Sequence, residues 1–300
     1  MSEVSEVSGA LQAGGALREA ALYVERPADR ELVEALLRGE ACGVVAPRQM
    51  GKSSLRRRVA RALASRGARG LELDLGLIGA AGVEAEAWFH AVTLLLCGCV
   101  EKGSAQVAHP DPLARSRAPQ DRDLPLGERF SRFVREELCP PEGLPSAVLI
   151  DELDVALGLP FPTEDLFAAL AAVARPGSAE AAPLGVALFG VTLPRGFARA
   201  SGERPAARVI ALEAFTAEEA AAFLPALAAA GGSPEALLEA ILEVTRGHPY
   251  RTQRLAELLA RREGEGEGDG DGGAAPRERV ARLVREEREA DPGWPAAEPR

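Results

Sequence analysis

The segment Ala46-Pro47-Arg48-Gln49-Met50-Gly51-Lys52-Ser53 decides how the rest of the chain is read. It differs at one position, Ala46 in place of glycine, from the consensus of a phosphate-binding loop, in which backbone amides and a lysine surround a chain of phosphates. The lysine is unusual here: of 35 Lys and Arg residues, only Lys52 and Lys102 are lysine. A compact ammonium on a flexible stem reaches a point between two phosphates, whereas a planar guanidinium needs a fork-shaped partner. Lysine at this position therefore points to a point-charge role. If position 46 requires positive φ, alanine costs on the order of 1 kcal/mol there and the loop entrance is reshaped.

The flanking sequence supplies a strand and a helix. Ala41 to Ala46 is a short apolar run suited to a strand buried on both faces. From Gly51 onward Leu55, Val59 and Leu63 fall at helical spacing, up to a stop at Gly67. Strand, loop and helix in this order aim the amides from Gln49 through Ser54, and the positive end of the helix, at one spot that suits an anion. Lys52 would bridge the outer phosphates, and Ser53 would give its hydroxyl to Mg2+.

A second strand, Ala147-Val148-Leu149-Ile150, runs into Asp151-Glu152-Leu153-Asp154. Open parallel sheets bind ligands beyond the carboxyl ends of their strands. Asp151 would hold the magnesium ion, and Glu152 would orient or deprotonate an attacking water. Asp154 has either a supporting role or none. Thr192, expected at the end of another strand, is either a sensor of the γ-phosphate or a plain strand terminator. Arg195, Arg199, Arg204 and Arg208 are candidate transition-state charge donors, none of them assigned. His90, His109 and His248 have no partners at nucleophile or metal spacing.

Further elements follow from periodicity: a helix over Pro27 to Leu37, a strand over Gly70 to Leu75, and helices over Glu84 to Val100, Glu128 to Leu138 and Thr163 to Ala174. Strands are also expected over Gly185 to Val191 and Arg208 to Leu212. Residues 103–125, with four prolines, form a loop or insertion. Strands alternating with helices predict an α/β three-layer sandwich around a mainly parallel sheet. After Phe215 only helices are expected: one starts at the capping box Thr216 and Glu219, one at Ser233-Pro234 and ends at Gly247, and one covers Thr252 to Arg262. The domain plan is a flexible N-terminus over 1–21, a P-loop core over 22–215, a helical lid over 216–262, and an acidic Gly-rich linker with a charged tail over 263–300. That tail carries a helix from Arg277 to Ala290.

Composition bounds the function. Hydrophobic residues at 47% suffice for a sizeable core, and a net charge of -10 disfavours a sequence-independent grip on nucleic acid or anionic lipid. The apolar run from Ala91 to Val100 is far shorter than the roughly 20 residues of a membrane span, and the N-terminus lacks the pattern of a secretion signal. A cytoplasmic location without membrane contact is expected. Cys42, Cys97, Cys99 and Cys139 lack zinc-site spacing and lie in apolar segments, which suits reduced, buried thiols.

Together, Tyr23-Val24-Glu25-Arg26-Pro27-Ala28-Asp29, the Arg-Gln-Met-Gly-Lys-Ser-Ser core, Leu73-Asp74-Leu75, Val148 to Asp154, Leu188 to Thr192, and Gly247-His248-Pro249 with Gln253 resemble the bacterial AAA-like domain family. That family is related to the signal-transduction (STAND) ATPases and to origin-initiator ATPases. The resemblance, over residues 22–262, implies that the P-loop strand neighbours the sensor strand, with the Walker B strand beyond it. It implies adenine contacts from Tyr23, Val24 and Arg26, phosphate contacts from Pro47 through Ser54, and a nucleotide contact from Pro249 of the lid. No Asn-Lys-x-Asp guanine-reading motif occurs in the sequence, so ATP is favoured over GTP. The leading expectation is an ATP-binding, slowly hydrolysing switch that closes its lid on nucleotide and signals through a protein partner or ATP-dependent self-association. Two alternatives stand beside it. One is a DNA-associated initiator or loader, to which the Arg56-Arg57-Arg58 cluster points. The other is a nucleotide-bound adaptor that does not hydrolyse.

Overall fold

Strand residues that are apolar at consecutive positions need cover on both faces. The computed structural model, which describes residues 22–79, 82–103, 124–134, 145–174, 182–194, 197, 207–264, 275–290 and 294, provides that cover. Its contacts divide the chain into a sheet unit, Pro27–Arg48 with Lys52–Leu212, and a helical unit formed by the residues before Pro27, Gln49–Gly51 and the chain from Glu213 onward.

The sheet unit opens with helix α1 (Pro27–Leu37), strand β1 (Ala41–Val45) and helix α2 (Lys52–Ser65). Strand β2 (Arg69–Asp74) follows, then α3 (Ala85–Gly103), α4 (Leu126–Phe133) and strand β3 (Ser146–Asp151). The unit continues with α5 (Leu153–Leu157), α6 (Glu164–Val173), β4 (Leu184–Gly190) and β5 (Arg208–Ala211). All pairings are parallel, in the order β2-β3-β4-β1-β5. β1 therefore lies beside β4, and β3 beyond it, as the resemblance implies.

Every residue of β3 and β4 is buried, which explains why both read as unbroken apolar runs. The period of two sends Val148, Ile150, Val186 and Leu188 into a core with Trp88, Phe89, Phe130 and Phe167 from α3, α4 and α6. Ala147, Leu149, Ala187 and Phe189 are buried on the opposite face, where α1 and α2 pack through Leu32, Leu36, Leu55, Val59 and Leu63. This is an α/β P-loop fold in three layers. Cys42 and Cys97 are both buried, and burial pushes the Cys42 pKa up to about 12.

The helical unit contains α7 (Ala217–Ala220), α8 (Leu224–Leu227), α9 (Pro234–Thr245), α10 (Pro249–Gly264) and α11 (Pro276–Ala290). The capping box forms as the sequence predicts: Glu219 N donates to Thr216 Oγ1 at 3.1 Å, and Thr216 N donates to Glu219 Oε2 at 2.9 Å. Ser233 likewise accepts from Ala236 N at 3.2 Å. α11 does more than carry charge. Val280, Leu283 and Val284 join Phe223, Leu227, Ile241, Leu255 and Trp294 in one core, and Arg254 of α10 donates twice to Glu287 of α11.

Several elements differ from the sequence reading, among them the helix after Thr216, which is broken into the short α7 and α8. α5 was not foreseen, because it is a five-residue helix directly after a left-handed residue, with no room for a periodic signal. α10 begins at Pro249, three residues before the predicted start, since proline at a first helical position needs no amide partner. β4 ends at Gly190 and not at Thr192, because the chain bends there and brings Leu193 over Gly43 of β1. The 103–125 insertion lies almost wholly outside the described residues, as does the end of the predicted 128–138 helix.

Gly247 has φ 72°, and a Cβ there would collide with the carbonyl oxygen of Phe215, whose own N–H donates to Gly247 O at 2.8 Å. Gly247→Ala is expected to destabilise the helical unit by about 2–4 kcal/mol, from left-handed strain plus overpacking. An unshifted urea midpoint, followed by the fluorescence of Trp294, would refute this.

Candidate functional site

β1 delivers the chain to the loop, and Ala46 N extends the ladder by donating to Gly190 O at 3.2 Å. Ala46 takes no positive φ. The left-handed positions are Gln49, at φ 64°, and Gly51, at φ 89°, so alanine at 46 carries no backbone strain. Pro47, Arg48 and Gln49 are exposed, Met50 is buried, and Lys52 opens α2. The Lys52 ammonium donates to the carbonyls of Ala46 and Pro47, at 2.8 Å each. Its partial burial lowers its pKa, while the charges of Asp151, Asp154 and Glu152 pull it back up. Ser53 is half-buried and Ser54 buried on the first turn of α2.

Arg26 grips the loop's crest. Its Nη1 donates to Met50 O at 3.0 Å and reaches Glu213 O at 3.5 Å, with the guanidinium 5.5 Å from the centre of the Phe215 ring. A Cβ on Gly51 would lie 3.1 Å from Arg26 Nη2, a close contact added to the left-handed φ that already favours glycine there.

β3 ends on Asp151, in register with Asp74 of β2. Asp151 is only 3% exposed. Its Oδ1 accepts from Glu152 N at 3.0 Å, and its Oδ2 lies 3.3 Å from Arg56 Nε. Arg56 also reaches Glu72 of β2, at 2.9 Å. Glu152 then turns the chain at φ 58° and ψ 44°, a left-handed conformation that costs a non-glycine residue roughly 1–2 kcal/mol and tends to collect at functional sites. Burial raises the Glu152 pKa, and Asp151, Asp74 and Asp154 raise it further, against Arg48. Arg48 approaches Asp154 at 3.9 Å with both side chains solvated, a weak pair.

The rim thus carries Asp74, Asp151, Glu152 and Asp154 beside one ammonium. A polyphosphate would be repelled by those carboxylates unless a divalent cation stood between. Among the described residues no cluster of three or more His, Cys, Asp or Glu could hold a metal alone. One buried carboxylate and one serine hydroxyl do fit Mg2+, which takes few protein oxygens and completes its shell with phosphates and water. A cavity of about 440 Å3 lined by Phe89, His90, Arg129 and Phe130, among others, shares no residue with this rim.

In the sheet unit the fold brings together Lys52, Asp151 and Glu152, near enough for the two carboxylates to act on the ammonium, with Ser53 on the same turn as Lys52. Thr192 is exposed two residues past β4. Tyr23, Val24, Arg26, Gln49, Met50, Gly51 and Pro249 belong to the helical unit. Val24 lies in that unit's core, and Pro249 is buried at the start of α10. Arg208 is removed as a charge donor: it begins β5, at the end of the sheet opposite the rim, and pairs with Glu31 and Glu40. Arg195, Arg199, Arg204 and His109 lie outside the described residues.

Sequence reading missed Arg56 and Glu72 as a unit. Lys52, Arg56, Val59 and Leu63 share one helical face, and Glu72 and Asp74 alternate with the buried Leu71 and Leu73, so the signal was present in both periods. Arg56 is buried in ion pairs and is thereby withdrawn from any surface the arginine cluster would offer to nucleic acid.

No family model matches the chain. The uncharacterized WD repeat-containing protein slr0143 of Synechocystis sp. (strain ATCC 27184 / PCC 6803 / Kazusa) is 32% identical over 244 residues, covering 79% of this chain. The chain spans only 20% of that relative's length. Among solved structures, the Aeropyrum pernix ORC2 protein in its ADPNP-ADP complexes superposes with a TM-score of 0.48 at 16% identity, over 94% of this chain and 71% of that one. A RuvB mutant of Thermotoga maritima gives 0.45 at 12% identity, over 86% and 68%. Both likenesses are loose, and the fold is defined by the strand order above. No described helix is long and apolar enough to cross a membrane.

The upward shift of Glu152 means that the folded state favours its protonated form. That preference is fully present below the ordinary carboxylate range and is lost as pH rises through the higher folded value. Glu152→Gln, neutral throughout, is expected to melt higher than wild type at about pH 8 and to lose that advantage near pH 4. Superimposable melting curves at the higher pH would contradict the electrostatics described here.

Proposed function

We propose that the chain binds ATP with Mg2+ at the rim formed by the P-loop and the end of β3, and hydrolyses it slowly. The observation that carries this reading is the meeting of Lys52, at the start of α2, with Asp151 and Glu152, at the end of β3.

Lys52 would exchange the carbonyls of Ala46 and Pro47 for phosphate oxygens, which are better acceptors because they are charged. The amides from Gln49 to Ser54 and the N-terminal turns of α2 favour the same anion. Ser53 and Asp151 would hold Mg2+, which, when bound, screens the acidic rim and draws charge from the phosphates. Glu152 would take the proton of the attacking water, and its raised pKa brings it nearer to that of a base working close to neutral pH. Thr192, just beyond β4, would report the terminal phosphate. The nucleotide contacts of Tyr23, Val24 and Pro249 rest on the family resemblance alone. Arg26, bonded to Met50, supports the reading by shaping the loop.

ATP is proposed over GTP because the guanine-reading motif is missing from the sequence. A switch that acts through a protein partner or self-association, in bacterial signalling or conflict response, agrees with slow turnover by a single general base and with the -10 net charge. The same balance of charge argues against nucleic acid as the main partner.

Mg-ATP is expected to raise the melting temperature of the wild type, and Lys52→Ala to abolish that rise. Glu152→Gln should keep the rise and slow phosphate release about 100-fold or more. Equal release by Glu152→Gln and wild type would remove Glu152 as the base, and an unmoved wild-type melting curve would remove the site.

A further inference from the structure

The carboxylate proposed to hold the metal already faces a cation. Arg56, one turn along α2 from Lys52, has only 10% of its side chain exposed, and it bridges β2 and β3. Its two contacts differ in quality. Nη1 stands 2.9 Å from Glu72 Oε2, whereas Nε stands 3.3 Å from Asp151 Oδ2 without hydrogen-bond geometry and is buried with no hydrogen-bond partner. The other Asp151 oxygen is taken by Glu152 N. Both oxygens of Asp151 are thus engaged inside the protein.

A buried carboxylate needs a counter-charge at all times, because leaving it alone costs several kcal/mol. A divalent cation arriving at Asp151 would meet the guanidinium at the same oxygen, and two cations at that range repel. Glu72 offers the way out. It is less buried, with 36% of its side chain exposed, and it holds the better of the two contacts. A guanidinium with five donors in a fixed fork can shift its weight between two carboxylates with little movement.

Resting on the nucleotide-site reading above, we infer that Arg56 is a stand-in counter-ion for Asp151. It occupies the carboxylate when no divalent cation is there and passes to Glu72 when one arrives. Arg56 is then a positioning residue, and the strength of its pair with Glu72 sets how readily the site accepts Mg2+.

The test is the Mg2+ concentration that half-saturates the metal-dependent part of binding of a fluorescent ATP analogue to the full chain. Arg56→Met, which removes the competitor, is expected to lower that concentration about tenfold; Glu72→Gln, which removes the alternative partner, is expected to raise it several-fold. A purely structural role would move both variants in the same direction, so opposite shifts are the signature. An unmoved or raised value for Arg56→Met overturns the assignment. If that variant does not fold, Glu72→Gln decides alone, and no rise overturns it. Wild type that never binds the analogue removes the nucleotide site itself. Binding that ignores Mg2+, or that keeps the wild-type Mg2+ dependence in both variants, removes only the role of Arg56.

Discussion

A carboxylate with 3% of its surface in water has to be compensated from within the protein, since desolvating an isolated charge costs several kcal/mol. Asp151 meets that requirement with a backbone amide on one side and a guanidinium on the other, and both partners constrain their surroundings. The amide is that of Glu152, so the hydrogen bond is made as the chain reverses through a left-handed residue. The guanidinium comes from the first turns of α2, which ties the helix after the loop to the strand that ends at the rim. The sheet order β2-β3-β4-β1 places one strand between β1 and β3, and α2 packs over β2, β3 and β4, so that Arg56 reaches both Asp151 of β3 and Glu72 of β2.

The loop is held by a comparable use of charge. Lys52 gathers the carbonyls of Ala46 and Pro47, and Arg26 holds that of Met50. Carbonyls that would otherwise point into the turn are thus satisfied by cations, and the amides remain for an anion. Left-handed backbone falls at Gln49 and Gly51 in the helical unit, and in the sheet unit at Glu152, where β3 ends. Strain of this kind persists where surrounding contacts over-determine it. Here those contacts are Arg26 at the loop crest and Asp151 at the strand end.

Much of the sheet unit was legible because its signals are local. Central strands with every residue buried can only be apolar runs, and Pro27 to Leu37 carries an unmistakable helical stripe. Two helices of the helical unit were legible through their caps at Thr216 and Ser233. Lys52, Asp151 and Glu152 could be picked out because each follows a strand in a fold that collects ligands at that edge. What escaped was relational. Arg56 looks like one of three consecutive arginines until α2 is laid against β2 and β3, and only then does one of the three turn inward. Arg208 shows the reverse error. It was a candidate charge donor although it opens an expected strand, and as the first residue of β5 it stands at the other end of the sheet. α11 lies between these cases: its charged face dominates the sequence, while a narrow stripe of Val280, Leu283 and Val284 decides where it packs.

Among the described residues β2 and β5 are the outer strands of the sheet, and an outer strand can recruit a strand from another molecule. β5 is four residues long and bears the exposed Val209, which makes it the more vulnerable margin. Its first residue, Arg208, is clasped by Glu31 of α1 and by Glu40, so a fixed charge stands where an incoming strand would begin to zip. An arginine that takes no part at the rim thereby sets a charge on the margin where edge-to-edge stacking would start.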